Sequence, residues 1–154
     1  MSLTKLLELM KKYDFSQHSE YTTGNRAWRG FYPAIEGNAI NALNPKMPEE
    51  VRTRAIDTMY MIYGYLRIRY DEIDFKGLEA EIEKEEDRYY VSTLFETRDL
   101  LPKLGQAIYR FATESSKETL LRLREILRKL YKADEPQYPR RIEELEQRLK
   151  SEQS

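Results

Sequence analysis

The chain contains no cysteine and one histidine, His18. The first absence excludes disulfides, thiolate catalysis and cysteine-based zinc sites, and makes a reducing, cytoplasmic setting the natural expectation. The second leaves metal binding and triad chemistry almost no material. There is no His-x-x-x-His or Glu-x-x-His pair and no aspartate-rich loop. A Ser-His-Asp arrangement would have to use His18, and nothing around it resembles a nucleophile elbow. No glycine-rich phosphate loop is present. Glu81 and Glu85 could share a helix face, but a solvated face is the simpler reading without a histidine or a second inward carboxylate pair. No enzyme, cofactor, metal or small-molecule substrate is expected. No apolar run approaches the ~18 residues of a membrane span. The N-terminal MSLTKLLELMKKY is amphipathic and carries Glu8, unlike a signal peptide.

Glycine and proline are scarce, at six each, while charged residues make up 34% of 154 residues. Leu, Glu, Lys and Arg dominate the periodic stretches, which favours helix over sheet. The length suits one domain. The expectation is an all-α protein: a compact bundle of about five to six helices around a central hydrophobic helix, with a short C-terminal tail helix. The bundle is placed at residues 1–133 and the tail at 134–154.

The central helix is expected over Pro48 to about Asp71. Its middle, MYMIYGYLRIRY from Met59 to Tyr70, is apolar or aromatic around most of its circumference, the pattern of a buried helix. Gly64 within it reads as a point where another helix approaches closely. Before it, Thr22 or Thr23 is expected to cap a helix carrying Trp28, Phe31 and Ile35, with a bend or break near Pro33. Ser2 caps a first helix with Leu3, Leu6, Leu7 and Met10 on one face. After the central helix, Asp74 caps a helix whose face changes phase around Asp87–Tyr90. Asp99 is expected to cap a further helix with Pro102 in its first turn. Ser115 and Glu118 form a capping box for the next, with Leu120, Leu123, Leu127 and Leu130 inward. Pro139 opens the tail, with Ile142, Leu145 and Leu149 on its apolar face. Tyr89–Phe95 is the one β-branched, aromatic run, and its charged surroundings make it helix.

Charge is unevenly spread. Residues 1–70 hold ten Lys/Arg against seven Asp/Glu, residues 71–99 four against eleven, and residues 100–154 twelve against nine. Such asymmetry fits complementary faces for self-association, or an acidic surface set apart from a polyanion-binding one. For the acidic segment alone a solvated helix face is the plainer reading.

Three basic and aromatic groupings carry what function the sequence shows. Arg26, Trp28 and Arg29 form one, Arg67-Ile68-Arg69-Tyr70 the second, and Arg124, Arg128 and Lys132 the third. Guanidinium groups pair with phosphate oxygens, and adjacent rings can stack on exposed bases. The same pairs are also ordinary at a bundle surface, where a guanidinium lies over a half-buried ring. A net charge of −1 argues against a general duplex-DNA binder.

The order of these features resembles the small all-helical subunit of type III CRISPR interference complexes. The matching pieces are Thr22-Thr23 with Arg26, Leu66-Arg67-Ile68-Arg69-Tyr70, and the amphipathic Glu118–Tyr131, spanning roughly residues 20–132. The chain departs from that pattern at Gly24-Asn25 and at Asp71-Glu72-Ile73. The resemblance implies a non-catalytic ribonucleoprotein subunit that stacks on copies of itself and holds a guide–target RNA duplex by its backbone. Arg26 and Arg67, then Arg69, would make those contacts. The alternative is a helical protein–protein interaction or assembly module without nucleic acid, such as an adaptor or coat-type protein, whose tail helix meets the partner.

Overall fold

A computed structural model describes residues 2–13, 30–82, 84–134 and 137–153. Among these residues every regular element is a helix: α1 Leu3–Lys12, α2 Phe31–Leu43, α3 Glu49–Asp71, α4 Phe75–Glu81, α5 Glu85–Thr113, α6 Lys117–Asp134 and α7 Gln137–Gln153. Helices α2 and α5 each pack against both α3 and α6, which makes a four-helix core, while α1 and α7 pack on each other and on α5. The all-α bundle expected from the sequence is the observed architecture.

The helix most enclosed by the others is α2 rather than α3. Eight of the 13 residues of α2 are buried, among them Ala34, Gly37, Ala39 and Ala42. Such short side chains let neighbouring backbones approach on more than one side. In α3 only Ala55, Met59, Ile62, Leu66 and Tyr70 are buried. They form one stripe at spacings of three and four, the face of an amphipathic helix. Met61, which falls in the stretch expected to be buried, is 68% exposed, and Ile68, beside the two arginines, is 63% exposed. A Cβ added at Gly64 would meet nothing within 4 Å among the described residues, so none of the described helices approaches there.

Local signals explain most helix ends. Ser2 accepts from the Lys5 N–H at 3.2 Å, and Asp74 accepts from the Gly77 N–H at 3.0 Å, as expected of N-caps. Gly30 begins α2 with φ of 97°, the left-handed region that glycine enters freely. Pro33 then lies in the first turn of α2, where its missing N–H costs no intrahelical bond, so it does not break that helix. The capping box at α6 is shifted by one residue from the expected one. Ser116 accepts from the Thr119 N–H at 3.2 Å, and Thr119 accepts from the Ser116 N–H at 3.0 Å. Ser115 instead donates to the Phe111 carbonyl, closing α5.

Two boundaries differ from expectation. The helix capped by Asp74 ends at Glu81, and α5 starts at Glu85, several residues before the expected kink. Three carboxylates, Glu85, Glu86 and Asp87, occupy the first turn of α5, where the helix dipole favours negative charge. From there α5 runs 29 residues through Pro102 without a new start at Asp99. Asp99 pairs with Arg98 at 2.9 Å instead of capping. Burial of Leu94, Leu101, Leu104, Ile108 and Phe111 along α5 holds it together across the proline.

The tail helix α7 packs on the bundle. Tyr138 donates to the Met10 carbonyl at 2.7 Å. Arg141, 9% exposed, donates to the Tyr89 carbonyl at 3.0 Å, to the Ser92 hydroxyl and to the Gln137 amide oxygen at 2.8 Å. Arg148 reaches Glu86 at 3.1 Å and Asp87 at 3.8 Å. Much of the acidic segment is thus neutralised within the chain, since Glu81 also pairs with Lys5 and Glu79 with Arg88.

Candidate nucleic-acid interface

Arg26, Trp28 and Arg29 lie outside the described residues. Arg67 and Arg69 are both in α3, two positions apart, and such residues do not share a helix face. Their surroundings differ accordingly. Arg69 donates to the Tyr65 hydroxyl at 2.9 Å, lies 5.1 Å from the centre of that ring, and stands 3.6 Å from Glu72. These contacts tie its guanidinium to the C-terminal end of α3. Among the described residues Arg67 pairs only with Asp71, at 3.8 Å, one turn away and exposed. Exposed i,i+4 pairs contribute about 0.3–0.5 kcal/mol, little enough for a phosphate to replace. In the third grouping, Arg124 is tied to Glu36 of α2 at 3.0 Å. Arg128 lines a cleft of 350 Å³ between α2 and α6, together with Tyr32, Ile40 and Tyr131.

Arg67 opens onto α5. The groove between α3 and α5, 720 Å³ in volume, is lined by Tyr63, Arg67, Pro102, Gly105, Gln106, Tyr109 and Arg110. Helical spacing explains this set. With Leu101, Leu104 and Ile108 turned into the core, residues 102, 105 and 109 face α3. Residues 103, 107 and 110 line the next groove, between α5 and α6, with Gln106, Thr119, Arg122 and Ile126; its volume is 440 Å³. Gln106 and Arg110 border both, so the two grooves flank one outer ridge of α5.

Gly105 shapes the first groove. A Cβ there would sit 2.4 Å from the Tyr63 hydroxyl. The glycine lets the Tyr63 ring lie across α5. Tyr60, one turn earlier in α3, has its pKa raised above 10, by burial first and then by nearby Tyr109.

The charge lining these two grooves is of one sign, while the adjoining pocket that shares Arg67 and Pro102 also holds Asp71 and Asp99. Arg67, Lys103, Arg110 and Arg122 line the two grooves, and among the described residues no carboxylate does. Lys103 and Arg110 form no ion pair among the described residues. Arg122 meets Glu118 at 3.6 Å, again an exposed i,i+4 pair. In a chain of net charge −1, Lys103 and Arg110, with two arginines whose partners are exposed, concentrate positive charge where a polyanion would be attracted.

Of this surface, sequence reasoning singled out Arg67 and missed Lys103, Tyr109, Arg110 and Arg122. The available signal was on α5. Lys103, Gln106 and Arg110 follow spacings of three and four, on an outer face with no acid between Asp99 and Glu114.

Among the described residues no group of three His, Cys, Asp or Glu side chains could hold a metal. No helix there is long and apolar enough to cross a membrane. No protein-family model, curated protein or solved structure matches the chain.

Proposed function

We propose that the protein is a non-catalytic helical subunit of a ribonucleoprotein assembly that binds RNA backbone through the α3–α5–α6 surface. The observation that carries this reading is the set of four groove-lining cations, Arg67, Lys103, Arg110 and Arg122, with no carboxylate beside them in the lining among the described residues. Two have no intramolecular counter-ion among the described residues, and the other two have only long, exposed ones. Arg67 also belongs to the Leu-Arg-Ile-Arg-Tyr run by which the chain resembles the small type III CRISPR subunit, and that resemblance supports the assembly part of the reading.

The test is a fluorescence-anisotropy titration with labelled RNA at two salt concentrations. Three to four phosphate contacts to a single strand give a slope of roughly −2 to −3 in log K against log salt, about 20- to 50-fold between 50 and 200 mM. Lys103→Glu with Arg110→Glu should abolish measurable binding. RNA affinity that ignores salt, or survives that double substitution, would refute the reading.

One observation favours a second reading, a protein-interaction module without RNA. Met61 and Ile68 leave an apolar stripe on α3 open to water. Co-purification from the native source separates the two: RNA in the isolated complex supports the first, and protein partners alone support the second.

A further inference from the structure

The rings of this surface lie on one side of the α5 ridge, whereas its cations lie on both. Tyr63 and Tyr109 stand on the α3 side of the α5 ridge, and Tyr60 lies one turn before Tyr63 on α3. Lys103 and Arg122 stand on the α6 side, whose lining holds no ring. Arg110, on the ridge, borders both. Tyr109 is 62% exposed and Tyr60 is 38% exposed. Neither ring is therefore there mainly to fill the core. Lys103 and Arg110 are seven residues apart on one helix, ~10 Å along its axis. They form a short straight row parallel to the tyrosine groove.

A row of cations beside a row of open rings matches the two sides of a single nucleic-acid strand, which carries phosphates along one edge and unstacked bases along the other. A duplex offers the cations the same phosphates, but its base faces are already stacked on one another. The rings would have nothing to bind.

We propose that this surface takes a single-stranded segment of RNA, with bases stacked on Tyr109 and Tyr60 and the backbone held along Lys103, Arg110 and Arg122. The inference rests on the RNA-binding reading above and adds the state of the strand. Arg67, at the edge of the tyrosine groove, holds a phosphate or stacks on the terminal base.

The experiment uses the full chain and one mixed-sequence oligoribonucleotide, labelled, alone and annealed to its complement. The single strand should bind more tightly. Tyr109→Ala should weaken single-strand binding by roughly 5-fold or more, the loss expected for one stacked base, and leave duplex binding unchanged. Lys103→Glu should weaken both. Both side chains are exposed, and unchanged helical circular dichroism confirms that the variants fold. Duplex binding equal to or tighter than single-strand binding overturns the inference while leaving the backbone-binding reading intact. So does an equal effect of Tyr109→Ala on both RNAs. Failure to bind either RNA overturns both.

Discussion

Replacing Gly64 with alanine should make the protein more stable. Gly64 lies in the interior of α3, where glycine costs about 0.8–1.0 kcal/mol relative to alanine because it gives up more backbone freedom on folding. Whether that energy is recovered depends on the space for a methyl group. An added Cβ meets nothing within 4 Å among the described residues, so no steric term offsets the gain. For a chain of this size, 1 kcal/mol moves the melting temperature by about 2–4 °C. Urea and thermal unfolding, followed by far-ultraviolet circular dichroism, would read the change. Gly105→Ala is the matched control. It brings the same propensity gain in α5, but its Cβ would lie 2.4 Å from the Tyr63 hydroxyl and 2.7 Å from the ring carbon that bears it. The ring must rotate out of the groove, so the net gain should be smaller and RNA affinity should fall. An unchanged or lowered melting temperature for Gly64→Ala would refute the reasoning and restore the sequence-based reading of a close helix approach.

Arg141→Leu should destabilise the protein by about 1.5–3 kcal/mol, because it strips charged hydrogen bonds from the Tyr89 carbonyl and the Ser92 hydroxyl at the α5–α7 seam. Limited proteolysis should then cut the connection before α7 faster than in the parent, and an unchanged cleavage rate would contradict the role assigned to Arg141. Tyr60 makes a pH prediction. Its raised folded-state pKa means that its contribution to stability is whole below the unfolded value of 10.0 and is lost as pH rises from there through the folded value. Tyr60→Phe should therefore lessen the loss of stability in that alkaline range, and an unaltered alkaline limb would count against burial of the phenol.

Much of the fold was legible because its signals are local. Ser2 and Asp74 cap helices through bonds to N–H groups three residues on, and the leucine spacing of α6 follows one face of a helix. Where local signals competed, the sequence reading failed in instructive ways. Ser115 with Glu118 reads as the capping box, yet Ser115 bonds the Phe111 carbonyl at the end of α5 and Ser116 with Thr119 caps α6. Pro102 reads locally as a helix start, yet burial of Leu101 and Leu104 on either side carries α5 through it. The apolar content of α3 reads as burial all round. The small side chains of α2 place that helix inside instead, and leave Met61 and Ile68 facing water.

The candidate site divides in the same way. The sequence by itself determined that the chain is helical, that it lacks the residues of a thiolate or cysteine-zinc centre, and that Arg67 and Arg69 leave the buried stripe at the end of α3. All of these follow from composition and from the helical period. Helical spacing puts Arg69 one turn from Tyr65, but only the tertiary structure decided that Arg67 opens onto α5. It alone joined Arg67 to Lys103, Arg110 and Arg122, which are between 36 and 55 residues away in sequence. Periodicity tells which residues share a face of one helix. Which faces of different helices meet is settled by packing, and a charged groove exists only between them.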